Sequence, residues 1–342
     1  MNPRLRRPLR IAAYVAFYFA ALFLFAYLTF PYERLRDRIV QQFNQQQTGP
    51  DAMRLDIDAV GPHWLSGVEA TGIRLISRGK PVTDATTGAV ALKPDVLQIE
   101  RAHARVGLLG LLIGSVRVSF GAEAFGGTLS GNTYESDGAR RVEVELDEVS
   151  LAQAPVLAEA VGLPLEGLVN GELEMVLPEG KLARADGTVG LKITSIGVGD
   201  GKAKIRDTIA LPKINAGDLT FEGQSTAGQL KVTSFSATGP DLELVSEGSV
   251  RLRDPVATSL LSLTARFRFT QRYTNQSELT RTLFGTPGSS MPGLFDLDPK
   301  NKRAKRPDGF YGWRVSGQLG QPVFVPSASN AGAGAAGTPL GG

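Results

Sequence analysis

The sequence predicts a mainly β protein behind one apolar N-terminal helix. An apolar segment of about 20 residues, from Ile11 to Phe30, contains no charged residue, no Gly and no Pro. Beyond it, apolar and polar residues alternate with a period of two in many short segments. The 342 residues include 40 Gly and 20 Pro, which suits many strands and turns better than a helical bundle. We therefore expect a transmembrane helix followed by a curved antiparallel sheet with one or two short helices.

The apolar segment has the length of a membrane span. At about 1.5 Å per residue, 20 or so helical residues cross a hydrocarbon core of about 30 Å. A cleaved signal peptide is the alternative, but its apolar part would be shorter and a small-x-small site should follow, which Leu28–Tyr32 does not offer. The expected anchor, residues 11–31, includes the apolar side chains of Ile11, Phe17, Leu22, Phe25 and Phe30.

Arginines set the expected orientation. Four precede the segment without an acid, whereas the three that follow it closely are mixed with Glu33 and Asp37. Since Lys and Arg are retained on the cytoplasmic side, we expect residues 1–10 in the cytoplasm and the rest of the chain beyond the membrane.

The composition excludes several kinds of chemistry. There is no cysteine, which rules out disulfides, thiol catalysis and Cys-based metal sites. The net charge of +3 comes from clusters at the N-terminus and at 300–306, so the body of the chain is nearly balanced.

The region after the anchor is expected to begin with a linker and continue as strands. Residues 32–50 have a polar helical pattern that ends in a Gln-rich stretch and Gly49-Pro50. Residues 51–326 carry the alternation, which implies antiparallel strands with one wet face. Examples are Leu55 to Ala59, Val142 to Leu146, Val189 to Ile193, Leu219 and Phe221, Leu230 and Val232, Leu242 and Leu244, Val250 and Leu252, and Ala265 to Phe269.

Two short helices and a tail complete the prediction. One helix is expected at 155–161 and another at 277–284, the latter N-capped by Asn275 or Ser277. The Gly- and Ala-rich residues 327–342 are expected to be disordered.

Catalytic motifs are weak throughout. The two histidines, His63 and His103, lack metal-ligand spacing and are expected to be half-buried or on the surface. Gly223 to Ala227 approaches the hydrolase elbow, but it lies between two strand patterns and a hairpin turn is favoured. We therefore expect no enzyme and no cofactor.

Two loops and an acidic strand have simpler interpretations than ligand binding. Gly197 to Lys202 departs from the phosphate-loop spacing and is expected to be a turn. Asp296 and Asp298 have the spacing of the first two ligands of a calcium-binding loop. The glycine at the sixth position and the glutamate at the twelfth are absent, which favours a solvated loop. Glu143 and Glu145 share one strand face and are expected to keep it wet.

One basic run is a candidate contact surface. Five cations in seven residues suit anionic lipid headgroups or an acidic partner, with a solvated loop as the alternative. A nucleic acid is not expected, because no aromatic residue is interleaved. The cations are Lys300, Lys302, Arg303, Lys305 and Arg306.

The order of several short elements resembles a known family. An Arg-rich start and one apolar span precede His63-Trp64-Leu65-Ser66-Gly67, a Gly-Gly-x-Leu-x-Gly element at 126–131, Leu163-Pro164-Leu165-Glu166-Gly167, and the segment Gly309 to Pro322. This arrangement is similar to the type II secretion system protein N (GspN) family, in its AsmA-like form, over roughly 4–326. The Gly- and Ala-rich tail departs from that pattern.

The resemblance implies a location and two alternative functions. It places the chain in a bacterial inner membrane with its β domain in the periplasm. The first expected function is that of an accessory subunit of type II protein secretion, in contact with other secretion subunits. The alternative is an AsmA-like, groove-shaped protein that binds or transfers membrane lipid. The motifs are short and glycine-based, and they imply no catalytic residue.

Overall fold

The computed structural model describes residues 3–47, 52–77, 80–83, 90–93, 96–108, 110, 115–136, 138–154, 163–200, 204–205, 209–210, 212–285 and 292–327. The chain divides into two compact units, Met1–Ala124 and Phe125–Gly342.

Two helices begin the first unit. Helix α1 covers Pro3–Thr29 and helix α2 covers Tyr32–Gln46, where the polar pattern predicts a helix. The side chains at 3–12, 20, 23 and 26 lie outside the described part. Counting only described residues, no helix is both long and apolar enough to cross a membrane.

Four antiparallel strands form the sheet of the first unit. They are β1 (Met53–His63), β2 (Gly67–Ser77), β5 (Val96–Val106) and β6 (Arg117–Ala124), paired in that order, while β3 (Lys80–Thr83) and β4 (Val90–Lys93) form a separate hairpin. The predicted apolar face of β1 is confirmed for Leu55 and Ile57, which are buried and lie opposite Leu75 and Ile73, whereas Ala59 is exposed.

Helix α2 covers the free edge of β1. The Asn44 side chain donates to the Leu55 carbonyl at 3.2 Å and accepts from the Leu55 N–H at 2.8 Å. Arg36 also donates to the Asp58 carbonyl at 3.2 Å. Because an open edge invites pairing with another chain, these bonds protect the sheet.

Ten antiparallel strands form the sheet of the second unit, so the prediction of a mainly β, antiparallel fold is confirmed. A two-stranded ladder, β11 (Lys204–Ile205) with β12 (Ile209–Ala210), is separate. In order of pairing, the ten strands are β7 (Gly127–Ser136), β8 (Ala139–Ser150), β9 (Leu165–Pro178), β10 (Asp186–Val198), β13 (Ile214–Thr226), β14 (Gln229–Thr238), β15 (Leu242–Arg251), β16 (Leu260–Phe269), β17 (Tyr311–Gln318) and β18 (Gln321–Pro326).

The prediction of separate strands at 242–244 and 250–252 was wrong in one detail. Both segments belong to β15, and Leu252 lies just beyond its end. The period-two pattern continues through Ser246 and Gly248, whose small side chains hid the continuity.

The structure describes four short helices between β16 and β17. They are α3 (Gln271–Thr274), α4 (Glu278–Phe284), α5 (Leu294–Leu297) and α6 (Pro299–Ala304). Helix α4 confirms the predicted helix, and Ser277 is its N-cap, with Thr280 closing a capping box. The other three were not predicted. The helix expected at 155–161 and the tail at 328–342 lie outside the described residues.

Aromatic rings hold these helices on the sheet. Phe269, at the end of β16, lies 5.5 Å from the ring of Tyr273 and 4.6 Å from that of Phe284. Phe295 stands 5.5 Å from Phe284 and 5.1 Å from Tyr311. The fully buried Tyr273 hydroxyl donates to a backbone carbonyl, that of Pro212, at 2.9 Å.

The opposite end of the sheet is closed by its own turns. The Ala227-Gly228 turn has positive φ at both residues, and the Gly228 N–H donates to the Ala185 carbonyl at 3.0 Å. A Cβ on Gly228 would lie 2.1 Å from the Ala183 carbonyl oxygen, so only glycine fits.

Candidate functional site

The apolar side chains of α1 are largely exposed. Of the predicted anchor residues, Phe17 is 73% exposed, Leu22 52%, Phe25 68% and Phe30 47%. The side chain of Ile11 lies outside the described part. Exposed apolar side chains of this size call for a partner or a lipid phase, because contiguous apolar surface is costly in water.

The five cations of the basic run differ in their surroundings. Lys305 forms an ion pair with Asp296, and the Arg306 side chain is only 10% exposed, beside Asp308 at 3.6 Å. Arg303 donates to the Pro299 carbonyl at 3.1 Å. Lys300 and Lys302 are exposed on the short helix α6. The run is therefore largely used inside the second unit, and the proposed contact with anionic lipid or an acidic partner depends mainly on these two lysines.

The Asp296 segment is not the solvated loop that the sequence favoured. Asp296 lies in α5 and accepts a hydrogen bond from the Tyr311 hydroxyl at 2.7 Å. Burial and this carboxylate raise the pKa of the Tyr311 phenol well above its usual value. Asp298 is the N-cap of α6, accepting from the Lys300 N–H at 2.8 Å. Both carboxylates thus have structural roles.

The histidines form a stacked pair in the first unit. Their rings are 4.3 Å apart and nearly parallel, and His63 Nδ1 lies 3.0 Å from Glu69 Oε2. Both are half-buried, as expected. No group of three or more potential metal ligands occurs among the residues the structure describes.

Ser225 does not occupy a hydrolase elbow. It lies in β13, two residues before the hairpin turn, and is 3% exposed. Its hydroxyl donates to the Ala185 carbonyl at 2.7 Å, so it serves the packing of neighbouring hairpins. For Gly197 to Lys202, the described part ends at Asp200, and Gly197 and Val198 close β10.

A depression of about 770 Å³ lies on the sheet of the second unit. Strands β8, β9, β10, β13 and β14 line it. Register and the two-residue alternation place the polar side chains of these strands on one common face. Its charged residues are Glu145, Asp147, Glu172, Glu222 and Lys192, four acids and one base.

Carboxylates face one another across β8 and β9. Glu143 is directly opposite Glu174, and Glu145 is directly opposite Glu172. All four also line a second depression of about 450 Å³ beside the first. None has an ion-pair partner among the basic side chains that the structure describes. Directly opposed like charges destabilise a sheet, so this arrangement lowers stability without a visible compensation.

The apolar face of the same sheet is filled by its own side chains. The cluster consists of Met175, Leu177, Ala185, Leu230, Val250, Leu252, Leu261 and Val315, each at most 9% exposed. Phe221, Val189 and Leu263 pack against it at partial exposure. No described side chain of this cluster is left open to a ligand.

Comparisons of the chain with family models, with curated proteins and with solved structures found no match.

Sequence reasoning identified the acids but missed their arrangement. It named Glu143 and Glu145 as a wet strand face, whereas the structure adds Glu172 and Glu174 opposite them and a depression around them. The pattern Glu-x-Glu occurs in both strands and could have suggested the opposition, but strand register cannot be read from one sequence.

Proposed function

We propose that this chain is a non-enzymatic accessory subunit of type II protein secretion, anchored in a bacterial inner membrane by α1 and binding a protein partner in the periplasm. The N-terminus is then cytoplasmic, which agrees with the arginines that precede the span. The exposed apolar side chains of α1 support the anchor. The family resemblance supports the choice of secretion machinery.

The opposed carboxylates in the two depressions carry the proposal. A protein tolerates local destabilisation where a site needs it, and here four acids are concentrated on one concave face. Such a face is complementary to a basic surface of a partner, where opposite potentials guide association and fix orientation.

The alternative, a groove that carries acyl chains, has less support. Lipid tails need an open apolar lining, whereas the eight central residues of the apolar face of the second unit are each at most 9% exposed and only flanking residues such as Val189 and Phe221 are partly exposed. In the second unit, the depression of about 450 Å³ is mainly polar, and the larger one of about 770 Å³ has charged side chains along its floor.

The test is complementation of a deletion strain with the double variant E145Q/E172Q. It removes two central carboxylates with little change of volume, and we expect exoprotein release to fall while protein abundance and outer-membrane permeability stay unchanged. Copurification of other secretion subunits should fall in parallel. The matched control is Glu247→Gln, on β15 opposite the uncharged Thr264.

The proposal fails if the double variant releases exoprotein normally. It fails in favour of the lipid alternative if purified wild-type protein carries acyl chains by mass spectrometry and the deletion changes outer-membrane permeability but not release.

A further inference from the structure

The hairpin between β1 and β2 ends in two exposed apolar side chains. Trp64 is 71% exposed and Leu65 63% exposed. Trp64 also has a positive φ of 52°, an uncommon conformation for a large residue. A tryptophan held outward at a strained turn indicates a surface that meets something other than water.

The turn is fixed rather than loose. The Ser66 hydroxyl donates to the Val106 carbonyl at 2.5 Å, and the Val106 N–H donates to the Ser66 carbonyl at 3.2 Å. A Cβ on Gly67 would lie 2.6 Å from the backbone oxygens of Ala104 and His63, so the chain approaches too closely for any other residue. The two apolar side chains therefore have a defined position.

That position is beside the end of α1. A mainly apolar recess of about 280 Å³ is formed by residues 65–68 of the hairpin together with Tyr27, Phe30 and Tyr32. Tyrosine and tryptophan concentrate at the membrane–water interface, because their rings are apolar with one polar group. The hairpin end thus lies at the level where the anchor leaves the bilayer.

Further apolar side chains lie at the same end of the first unit's sheet. Leu108 follows β5 and Val116 precedes β6, and they are 42% and 48% exposed. The bond from the Gly107 N–H to the Arg117 carbonyl, 2.8 Å, holds the two flanks together. Arg105, near the end of β5, is exposed just behind them, where a guanidinium can reach lipid phosphates.

We propose that this end of the first unit, with Trp64 and Leu65 foremost, inserts into the interfacial layer of the bilayer that holds α1. The inference rests on the proposed anchoring of α1. It adds a second contact, so the periplasmic sheet is fixed in orientation on the membrane rather than tethered at one point. The occupant is lipid, because the surface combines apolar tips, an aromatic anchor end and a cation behind them.

Depth-dependent fluorescence quenching tests this directly. Trp64 and Trp313 are the two tryptophans of the chain, so Trp313→Phe isolates Trp64 and Trp64→Phe isolates the half-buried Trp313 as a matched control. Each full-length variant is reconstituted in phosphatidylethanolamine and phosphatidylglycerol vesicles whose acyl chains are brominated near the headgroup or near the terminal methyl. We expect blue-shifted Trp64 emission that loses more intensity to the shallow bromines, and Trp313 emission that neither label quenches.

Carbonate extraction of the same vesicles distinguishes failure of the α1 anchor from failure of the proposed insertion of the hairpin end. If the chain resists extraction but Trp64 is unquenched, the inference is overturned while the anchor stands. Blue-shifted emission without quenching points to a second copy or a protein partner and also overturns it. If carbonate releases the chain, the proposed anchoring itself fails, and the inference fails with it.

Discussion

Replacing Glu172 by glutamine should stabilise the second unit. Glu172 lies on β9, directly opposite Glu145, and its side chain covers Gly190, whose Cβ position is 3.4 Å from Glu172 Cγ. The change keeps the size of the side chain and removes one charge. No basic side chain of the described part forms an ion pair with Glu172, and Lys192 in the same depression is a diagonal neighbour, so the removal breaks no direct ion pair.

The size of the gain follows from the pairing geometry. Opposed residues of an antiparallel pair have Cβ atoms about 4.5–5.5 Å apart, which places the two charges at about 6 Å. In water, unit charges at about 6 Å repel by about 0.7 kcal/mol. Glu143 and Glu174 are slightly farther away and add smaller repulsions. We therefore expect a gain of about 1 kcal/mol in the free energy of unfolding at low salt.

Urea unfolding of the full-length chain measures the gain. In a Trp64→Phe background, the fluorescence of Trp313 in β17 reports on the second unit alone. The gain should largely vanish near 1 M salt, where the screening length is about 3 Å. Glu247→Gln, opposite Thr264, should be neutral at both salt concentrations. A Glu172→Gln variant that is neutral or less stable at low salt, or a gain that survives high salt, would refute the argument from repulsion.

Three further substitutions test the packing. Leu230→Ala, in the buried cluster, should cost about 2–5 kcal/mol by urea unfolding, whereas Leu168→Ala, 41% exposed, should cost far less. Tyr273→Phe removes the hydroxyl that donates to the Pro212 carbonyl and should cost about 0.5–1.5 kcal/mol at neutral pH. Burial raises the pKa of Tyr273 to about 12, so the stabilisation by its neutral hydroxyl is complete below pH about 10 and is lost as the pH rises towards 12. The Tyr273→Phe variant should therefore lose this alkaline decrease in stability when unfolding is measured over a range of pH. A variant with the wild-type pH profile would contradict this. Asn44→Ala removes both bonds to Leu55 and should increase protease cleavage within α2, without affecting the unfolding of the second unit.

The strands could be predicted from the sequence because their physics is local. In β1 the alternation of Leu55 and Ile57 with Asp56 and Asp58 specifies which face is buried, and the structure buries those two residues. The cap of α4 was equally local, since Ser277 needs only the N–H three residues later.

The arrangement around the basic run could not be predicted, because it depends on long-range contacts. Helices α5 and α6 are too short to be stable alone. Phe295 anchors this segment in the ring cluster of Phe284 and Tyr311, and Asp296 then draws in Lys305. The sequence shows five cations within seven residues, but only tertiary packing decides which of them stay in solvent.

One edge strand of each unit, β1 and β18, is protected against pairing with a further strand. Helix α2 covers the edge of β1. The outer edge of β18 lacks most of the backbone N–H groups that a further strand would need. The Ser327 N–H donates to the Gly312 carbonyl of β17 at 2.8 Å, so the backbone groups of residues 323 and 325 also point to β17, and those of 322, 324 and 326 point to the free edge. Since residues 322 and 326 are prolines, Phe324 supplies the one N–H on that edge.

An edge with a single donor is a poor template for strand addition. In the proposed function, the partner is therefore recognised by side chains, on the acid-lined face of the second unit or at the tips of turns. Val323, Phe324 and Val325 are each about half exposed, and they offer apolar side-chain contact at this edge without inviting a new strand. In the proposed function, binding through faces rather than edges keeps the sheet of the second unit from pairing with further strands while it holds its partner.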